Sequence, residues 1–421
     1  MEKLAIDGGS PVRTEPFPAW PVFGEAEADA LLGVLRSGKW GRLDGTRVAR
    51  FEERFAAFQG AAYGLATLNG TLALRIALLA AGIEAGDEVI VPPLTFVATA
   101  SAVVEANAMP VFADIEPGTY NLDPKAAEAA ITERTRAILP VHLGGLCADM
   151  DALLDLARRR GLVVIEDAAH AHGATHRGRG AGSLGHLGAF SFQSSKNLTC
   201  GEGGMVLTNE EDLYLACHQI HNCGRPPKGP WYAHETLGAN YRMTEFQGAI
   251  LCAQLDRLEA QIARRAANAR HLADRLAEIP GVSAQAVPDY ATRHAYHLFV
   301  IRYDEAAWGV PRAAFVQAVA GEGIPLCDGY TLPLYRQPMF LEKRFGPYTG
   351  YRLSNADVDF ASFAARCPVT EHVTAREGCW LPQQALLGSE EDMDDIAEAL
   401  AKAYRCRDAL RARAPEAGSS R

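Results

Sequence analysis

Between about residues 60 and 210 the chain is patterned in short, unbroken apolar runs at 88–91, 110–112, 137–141, 162–165, 189–192 and 205–207. Apolarity that is continuous rather than alternating marks strands covered on both faces. Stretches of helical spacing separate the runs, as at 72–81 and 152–160. The rhythm is therefore βαβ, and it predicts an α/β unit with a mostly parallel, doubly covered sheet.

The texture changes at Thr244. Thr244-Glu245-Phe246-Gln247 fits a capping box, and Leu251, Leu255, Leu258 and Ile262 follow at helical spacing, predicting a long helix that leads out of the core. Pro280-Gly281 ends that stretch. A strand at 296–301 and helices at 312–319 and 391–404 then predict a smaller α+β domain, with residues 411–421 as a frayed polar end. The expected division is a large domain over 1–257, its N-terminal segment lying near the site, and a small C-terminal domain over 258–421.

Composition narrows the function. Lys and Arg number 41 against 51 Asp and Glu, a net charge of −10, which argues against a broad basic face for nucleic acid. No window approaches 18 uninterrupted apolar residues, and the opening MEKLAIDGGSPVRT lacks the apolar region of a secretory signal, so a cytoplasmic protein with no membrane partner is expected. The nine cysteines are scattered without a C-x-x-C pair and read as free thiols.

Two motifs lead away from the chemistry. Gly180-Ala181-Gly182-Ser183-Leu184-Gly185 fits G-x-G-x-x-G, but it follows a polar loop and precedes a strand, whereas a dinucleotide fingerprint follows a strand and opens a helix. His170, His172 and His176 lie close in sequence, yet no carboxylate or cysteine completes a metal-ligand spacing. No metal is expected.

A third set falls where cofactor chemistry needs it. The run 162–165 leads into Glu166-Asp167, a carboxylate at the carboxyl end of a buried strand, where open α/β sheets bind ligands. The run 189–192 leads into Gln193-Ser194-Ser195-Lys196, placing a lysine past another strand end, and Cys200 stands four residues beyond it. Asn69-Gly70-Thr71 precedes a helix, so free N–H groups and the positive end of the helix dipole face an anion. Taken singly these are an N-cap, a surface lysine and a helix start. Together, an anion cup, a strand-end Asp and a Schiff-base lysine are what pyridoxal 5′-phosphate requires.

At these residues the sequence resembles the DegT-type sugar and cyclitol aminotransferases, pyridoxal-phosphate enzymes of the aspartate-aminotransferase fold (fold type I). The likeness runs through Gly8-Gly9-Ser10-Pro11-Val12-Arg13, Asn69-Gly70-Thr71, 93–99, 140–145, 166–170, 191–198, 201–204, 238–245 and Tyr296-His297-Leu298. It implies Lys196 as the Schiff-base lysine and proton shuttle and Asp167 as partner of the ring nitrogen. Gly70, Thr71 and Ser191 would bind phosphate, with Asn240 reaching it from the neighbouring subunit of a homodimer. Phe96 would stack on the ring, although a core position in the following helix suits it equally well. His170 stands where the family often has Gln near the ring's phenolic oxygen. Lys196 separates the chain from relatives that carry His there and dehydrate sugars.

The implied reaction is ping-pong transfer of an amino group from glutamine or glutamate to a keto-cyclitol or keto-sugar, with Trp40, Tyr330 and Tyr335 as candidates for the acceptor pocket. The opening motif, 167–173 and 329–335 are more similar to the subgroup of scyllo-inosose aminotransferases and aminohydroxybenzoate synthases than to the nucleotide-sugar branch. Aminohydroxybenzoate-type dehydration with aromatisation, or a non-catalytic regulatory role, are the alternatives.

Overall fold

A computed structural model describes residues 2–348 and 358–413 of the chain. Seven strands form the main sheet: β1 Tyr63–Thr67, β2 Glu88–Val91, β3 Met109–Phe112, β4 Thr135–Ile138, β5 Val163–Asp167, β6 Leu187–Ser191 and β7 Gly204–Thr208. Their order is β1-β7-β6-β5-β4-β2-β3. Every neighbouring pair is parallel except the two made by β7, which runs antiparallel between β1 and β6. The sheet interior is fully buried along β2, β3, β6 and β7, as the unbroken apolar runs require.

Helix α1 Glu25–Ser37 packs on the long helix over 245–276, and the sheet is covered by helices that include α2 Arg47–Gln59, α3 Gly70–Ala80, α4 Ala98–Glu105, α5 Met150–Arg160 and α6 Glu211–His221. The long helix is α7, Glu245–Leu276, and the Thr244 N–H donates to Gln247 Oε1 at 2.9 Å in the expected capping box. A second sheet, β8 Val282–Ala284, β9 Leu298–Tyr303 and β10 Gly378–Pro382, is antiparallel in that order. With α8 Arg312–Gly321 and α9 Glu390–Arg405 it encloses a separate core that includes Phe299, Trp308, Phe315, Ile396 and Leu400.

The packing departs from a division at 257/258 in three places. Helix α7 crosses that point unbroken. Leu334, Tyr335, Phe340, Phe360 and Phe363 belong to the core of the main sheet, gathered around Phe112. The start of the chain belongs to the small core: Leu4 is buried in it, and the Glu322 carboxylate accepts from the N–H groups of Ala5 and Val12 while pairing with Lys402. From there the segment crosses back, and the Trp20 indole N–H donates to the Ser194 carbonyl at 2.9 Å. Of the expected frayed end, Arg411–Arg413 close a helix, Arg407–Arg413, in which Arg411 donates to the Trp308 carbonyl; 414–421 lie outside the described residues. Among the described residues no helix is long and apolar enough to cross a membrane.

Candidate active site

Sheet register brings the candidate residues together. Thr67, Gly204 and Ser191 are successive partners across β1, β7 and β6, and Asp167 pairs with Ala189 across β5 and β6, so the carboxyl ends of β1, β5 and β6 form one rim. Helix α3 begins on that rim. The Asn69 side chain caps it, accepting from the Leu72 N–H at 2.9 Å, which leaves the first-turn N–H groups of Gly70 and Thr71 for an anion. A Cβ on Gly70 would stand 2.7 Å from Ser191 Cβ, so only glycine lets the helix start sit this close to Ser191. These are the three expected phosphate binders of one chain.

Asp167 ends β5. Its Oδ2 accepts from the Thr99 hydroxyl at 2.7 Å and its Oδ1 from the Ala169 N–H at 3.2 Å. Burial pushes its carboxyl above the ordinary range, while these donors and the nearby Lys196 pull it back. Lys196 lies in the turn after β6, its N–H donating to the Gln193 carbonyl at 2.9 Å. Burial presses its amine down to about 8, against the opposing pull of Asp167. The result is an amine that gives up its proton far more readily than an exposed lysine, beside a carboxylate.

His170 Nδ1 accepts from the Gly144 N–H at 3.3 Å, which places the ring proton on Nε2. Burial, reinforced by Lys196, holds its pKa well below the usual histidine range, so the ring is a neutral donor packed 4.2 Å from the His297 ring. Such an N–H can take the place of the family's Gln amide. Phe96 is 57% exposed. It therefore is no core residue of α4, and it stands in the same segment as Thr95 and Thr99, whose hydroxyls are 3.0 Å apart at Asp167. A helix-start anion cup, a buried carboxylate, a readily deprotonated amine, a neutral imidazole donor and an open aromatic face together fit pyridoxal phosphate.

Other expectations resolve differently. Tyr330 is raised in pKa by burial and by Asp167, which puts it in the electrostatic range of the site, and it packs on Trp380 at 5.1 Å. Tyr335 has no exposed surface: its hydroxyl donates to Glu371 at 2.8 Å and its ring packs on Phe112 and Phe363. It is a core residue, and an acceptor pocket cannot be lined by it. Trp40 is half exposed at the start of α7, its indole N–H on the Leu35 carbonyl at 3.2 Å and its ring against Phe246. Asn240 is exposed in the loop after α6 and bridged to Asn222.

The glycine-rich turn at 180–185 has a role of its own. The N–H groups of Gly182, Leu184 and Gly185 donate to the Glu166 carboxylate at 2.8, 2.8 and 2.7 Å, and His142 Nε2 meets it at 2.8 Å. The turn cradles an anion, but one supplied by this chain beneath Asp167. Among the described residues no group of His, Cys, Asp and Glu could hold a metal. Cys200 donates its thiol to the Glu202 carbonyl, and burial pushes its pKa up, so it is no activated nucleophile. Thr99 and Trp20 were not singled out from sequence. Thr99 lies in the quoted 93–99 motif, whereas Trp20 reaches the lysine turn from 174 residues away.

A family model described as the DegT/DnrJ/EryC1/StrS aminotransferase family matches residues 21–401. An L-glutamine:2-deoxy-scyllo-inosose aminotransferase of Streptoalloteichus tenebrarius is 41% identical over 430 aligned residues, 97% of this chain and 99% of that one. The 3-amino-5-hydroxybenzoate synthase of Amycolatopsis mediterranei is 38% identical over 389 residues, 92% and 97% of the two chains. A crystal structure of 3-amino-5-hydroxybenzoic acid synthase superposes with a TM-score of 0.85 at 37% identity, covering 93% of this chain and all of that one. With its fold type I architecture and its lysine and aspartate on the rim of the sheet, the chain belongs to the DegT/DnrJ/EryC1/StrS family of pyridoxal-phosphate aminotransferases.

Proposed function

We propose that this enzyme moves the amino group of glutamine or glutamate onto a keto-cyclitol or keto-sugar in two alternating half-reactions, as a cytoplasmic homodimer. The observation that carries the reading is the pairing of a rim lysine with a buried aspartate in a chain 41% identical, end to end, to a glutamine-dependent cyclitol aminotransferase. Nine free thiols suit a reducing compartment. The exposed Trp231, Tyr232 and Leu237, in the loop that also carries Asn240, suit a subunit interface.

When bound, pyridoxal phosphate supplies an electron sink for the carbon that carries the amino group. The chain does the rest. Gly70, Thr71 and Ser191 bind the phosphate, with Asn240 of a second subunit completing the cup. Asp167, oriented by Thr99 and Ala169, holds a proton at the ring nitrogen, and His170 donates Nε2–H toward the phenolic oxygen. Lys196 would act as the base that takes the proton from the amino-bearing carbon of the donor, and as the acid that supplies a proton to the acceptor carbon in the second half-reaction. Phe96 would lie against one face of the ring, and Tyr330 would stand toward the acceptor.

The test is a pair of half-reactions. Glutamine should convert the bound pyridoxal phosphate to pyridoxamine phosphate, and 2-deoxy-scyllo-inosose should convert it back, followed by absorbance and mass spectrometry of the released cofactor. A wild-type enzyme that binds the cofactor yet is converted by no amino acid would overturn amino-group transfer. The likeness to 3-amino-5-hydroxybenzoate synthase favours a second reading, separated by whether an aminoshikimate-type substrate is aromatised.

A further inference from the structure

Behind the turn that carries Lys196 lies a cavity of about 480 Å³, lined by Pro18, Trp20, Ser194, Ser195, His297 and Gln383 among others. Gln383 is 1% exposed, and its Oε1 accepts from both Nε (3.0 Å) and Nη2 of Arg265. With the amide oxygen so engaged, the amide nitrogen has no acceptor, and neither has Arg265 Nη1. Arg265 projects from α7 with no exposed surface, its guanidinium carbon 5.5 Å from the centre of the Trp20 ring. Its side-chain hydrogen-bond partner is a neutral amide, and burial alone presses the guanidinium down to about 9.

A buried cation facing only neutral dipoles is costly, and folded chains normally pair such a charge. Here the cavity wall carries Gln383, whose amide nitrogen has no acceptor from the chain, and behind Gln383 stands Arg265 with a second unanswered donor and a positive charge. The chemical complement is a group that accepts only and is negative, and a planar carboxylate meets both conditions. A purely structural Arg265, fastening the N-terminal segment through Trp20, would account for the ring contact. It would not account for the two unanswered donors or for the open volume beside Gln383. The cavity is continuous with the site in sequence and in field: Ser194 and Ser195 directly precede Lys196, and the charges of Lys196 and Arg265 both bear on His172 and His297.

We infer that this cavity receives a carboxylate of a reactant, with Gln383 Nε2 making the contact and Arg265 acting from behind as the positioning residue that supplies the charge. The inference rests on the aminotransferase reading, in which the α-carboxylate of the amino donor would have to be held near Lys196. A ring acceptor bearing a carboxylate would present the same chemistry.

Gln383→Glu tests it without a hole in the core, because the new carboxylate pairs with Arg265 and takes the place of the incoming anion; Gln383→Leu removes the contact alone. Binding to the pyridoxal-phosphate enzyme is measured by calorimetry with two unreactive probes, glutaramate for the donor and 3-hydroxybenzoate for a carboxylated ring. At least one should bind about tenfold or more weakly to Gln383→Glu, with a melting temperature at or above that of wild type. If glutaramate is the probe that weakens, the variant's KM for glutamine in the first half-reaction should rise with little change in kcat, while glutaminamide, which lacks the carboxylate, reacts equally with both enzymes. Unchanged affinity for both probes, or equal losses for glutamine and glutaminamide, would overturn the inference. A wild type that binds a probe in a Gln383-dependent way yet transfers no amino group would sink the proposed reaction and leave the carboxylate site standing.

Discussion

At the scale of single residues, the site is built by setting groups against their solvation. Burial takes charge off Lys196 and His170 and favours the neutral form of Asp167; specific donors or charges then oppose it at Asp167 and Lys196, whereas Lys196 and His172 push His170 further the same way. For Lys196 the sign is definite. Its amine, lowered to about 8, is protonated and unreactive below that pH and free above it. Covalent loading of the apoenzyme with pyridoxal phosphate, trapped by borohydride and counted by mass spectrometry, should therefore speed up as pH rises and level off near 8; a plateau two units higher would show that burial does not act on this amine. Lys196→Ala should lose loading at every pH and lower turnover by about 10²–10⁴-fold. Glu166 illustrates the opposite use of burial. It is fully enclosed, and its partners are three backbone N–H groups and His142. Glu166→Ala would strand all of them and should cost about 3–5 kcal/mol, read as a fall in the urea midpoint of the apoenzyme.

At the scale of elements, strands with unbroken apolar runs were legible, because burial on both faces leaves no other composition open to them. The direction of β7 was not. Only residues 192–203 separate it from β6, and they are spent on the turn that holds Lys196 and the return past Gly201, too few for the crossover helix a parallel neighbour needs. β1 was missed because its first half, Tyr63-Gly64, is only half buried and carries a glycine. Tyr335 misleads for a related reason: it reads as a candidate for the acceptor pocket, but with Phe340 it folds back onto Phe112 of the main sheet, a contact more than 200 residues away that no local pattern announces. The helix start at Asn69-Gly70-Thr71 was legible because capping chemistry is local, whereas its closeness to Ser191 is a consequence of sheet register. That closeness can be tested. Gly70→Ala places a methyl group against Ser191 at the mouth of the anion cup, and it should weaken pyridoxal-phosphate binding about tenfold or more in a fluorescence titration while urea unfolding of the apoenzyme shifts by less than about 1.5 kcal/mol.

At the scale of the molecule, one chain brings together every proposed cofactor ligand except Asn240, which sits exposed on a loop with Trp231, Tyr232 and Leu237 turned outward. If two subunits share each site, the defects of two inactive variants can be sorted onto different sites. Lys196→Ala disables the site of its own chain. Asn240→Asp sets a negative charge beside the phosphate of its partner's site and disables that one instead. In a mixed dimer both lesions fall on the Lys196→Ala chain's site, and the other site has its own lysine and an intact Asn240 from across the interface. Equal mixing with full exchange makes half of the dimers mixed, each with one of its two sites restored, so activity should return to about a quarter of wild type from two parents that have almost none. Recovery must need subunit exchange, so it should appear only after the mixture is dissociated and reassembled, and it should fail with Lys196→Ala and Asn240→Asp placed in the same chain. No recovery after verified exchange would mean that each chain holds its phosphate alone, and would leave the exposed loop without its proposed role.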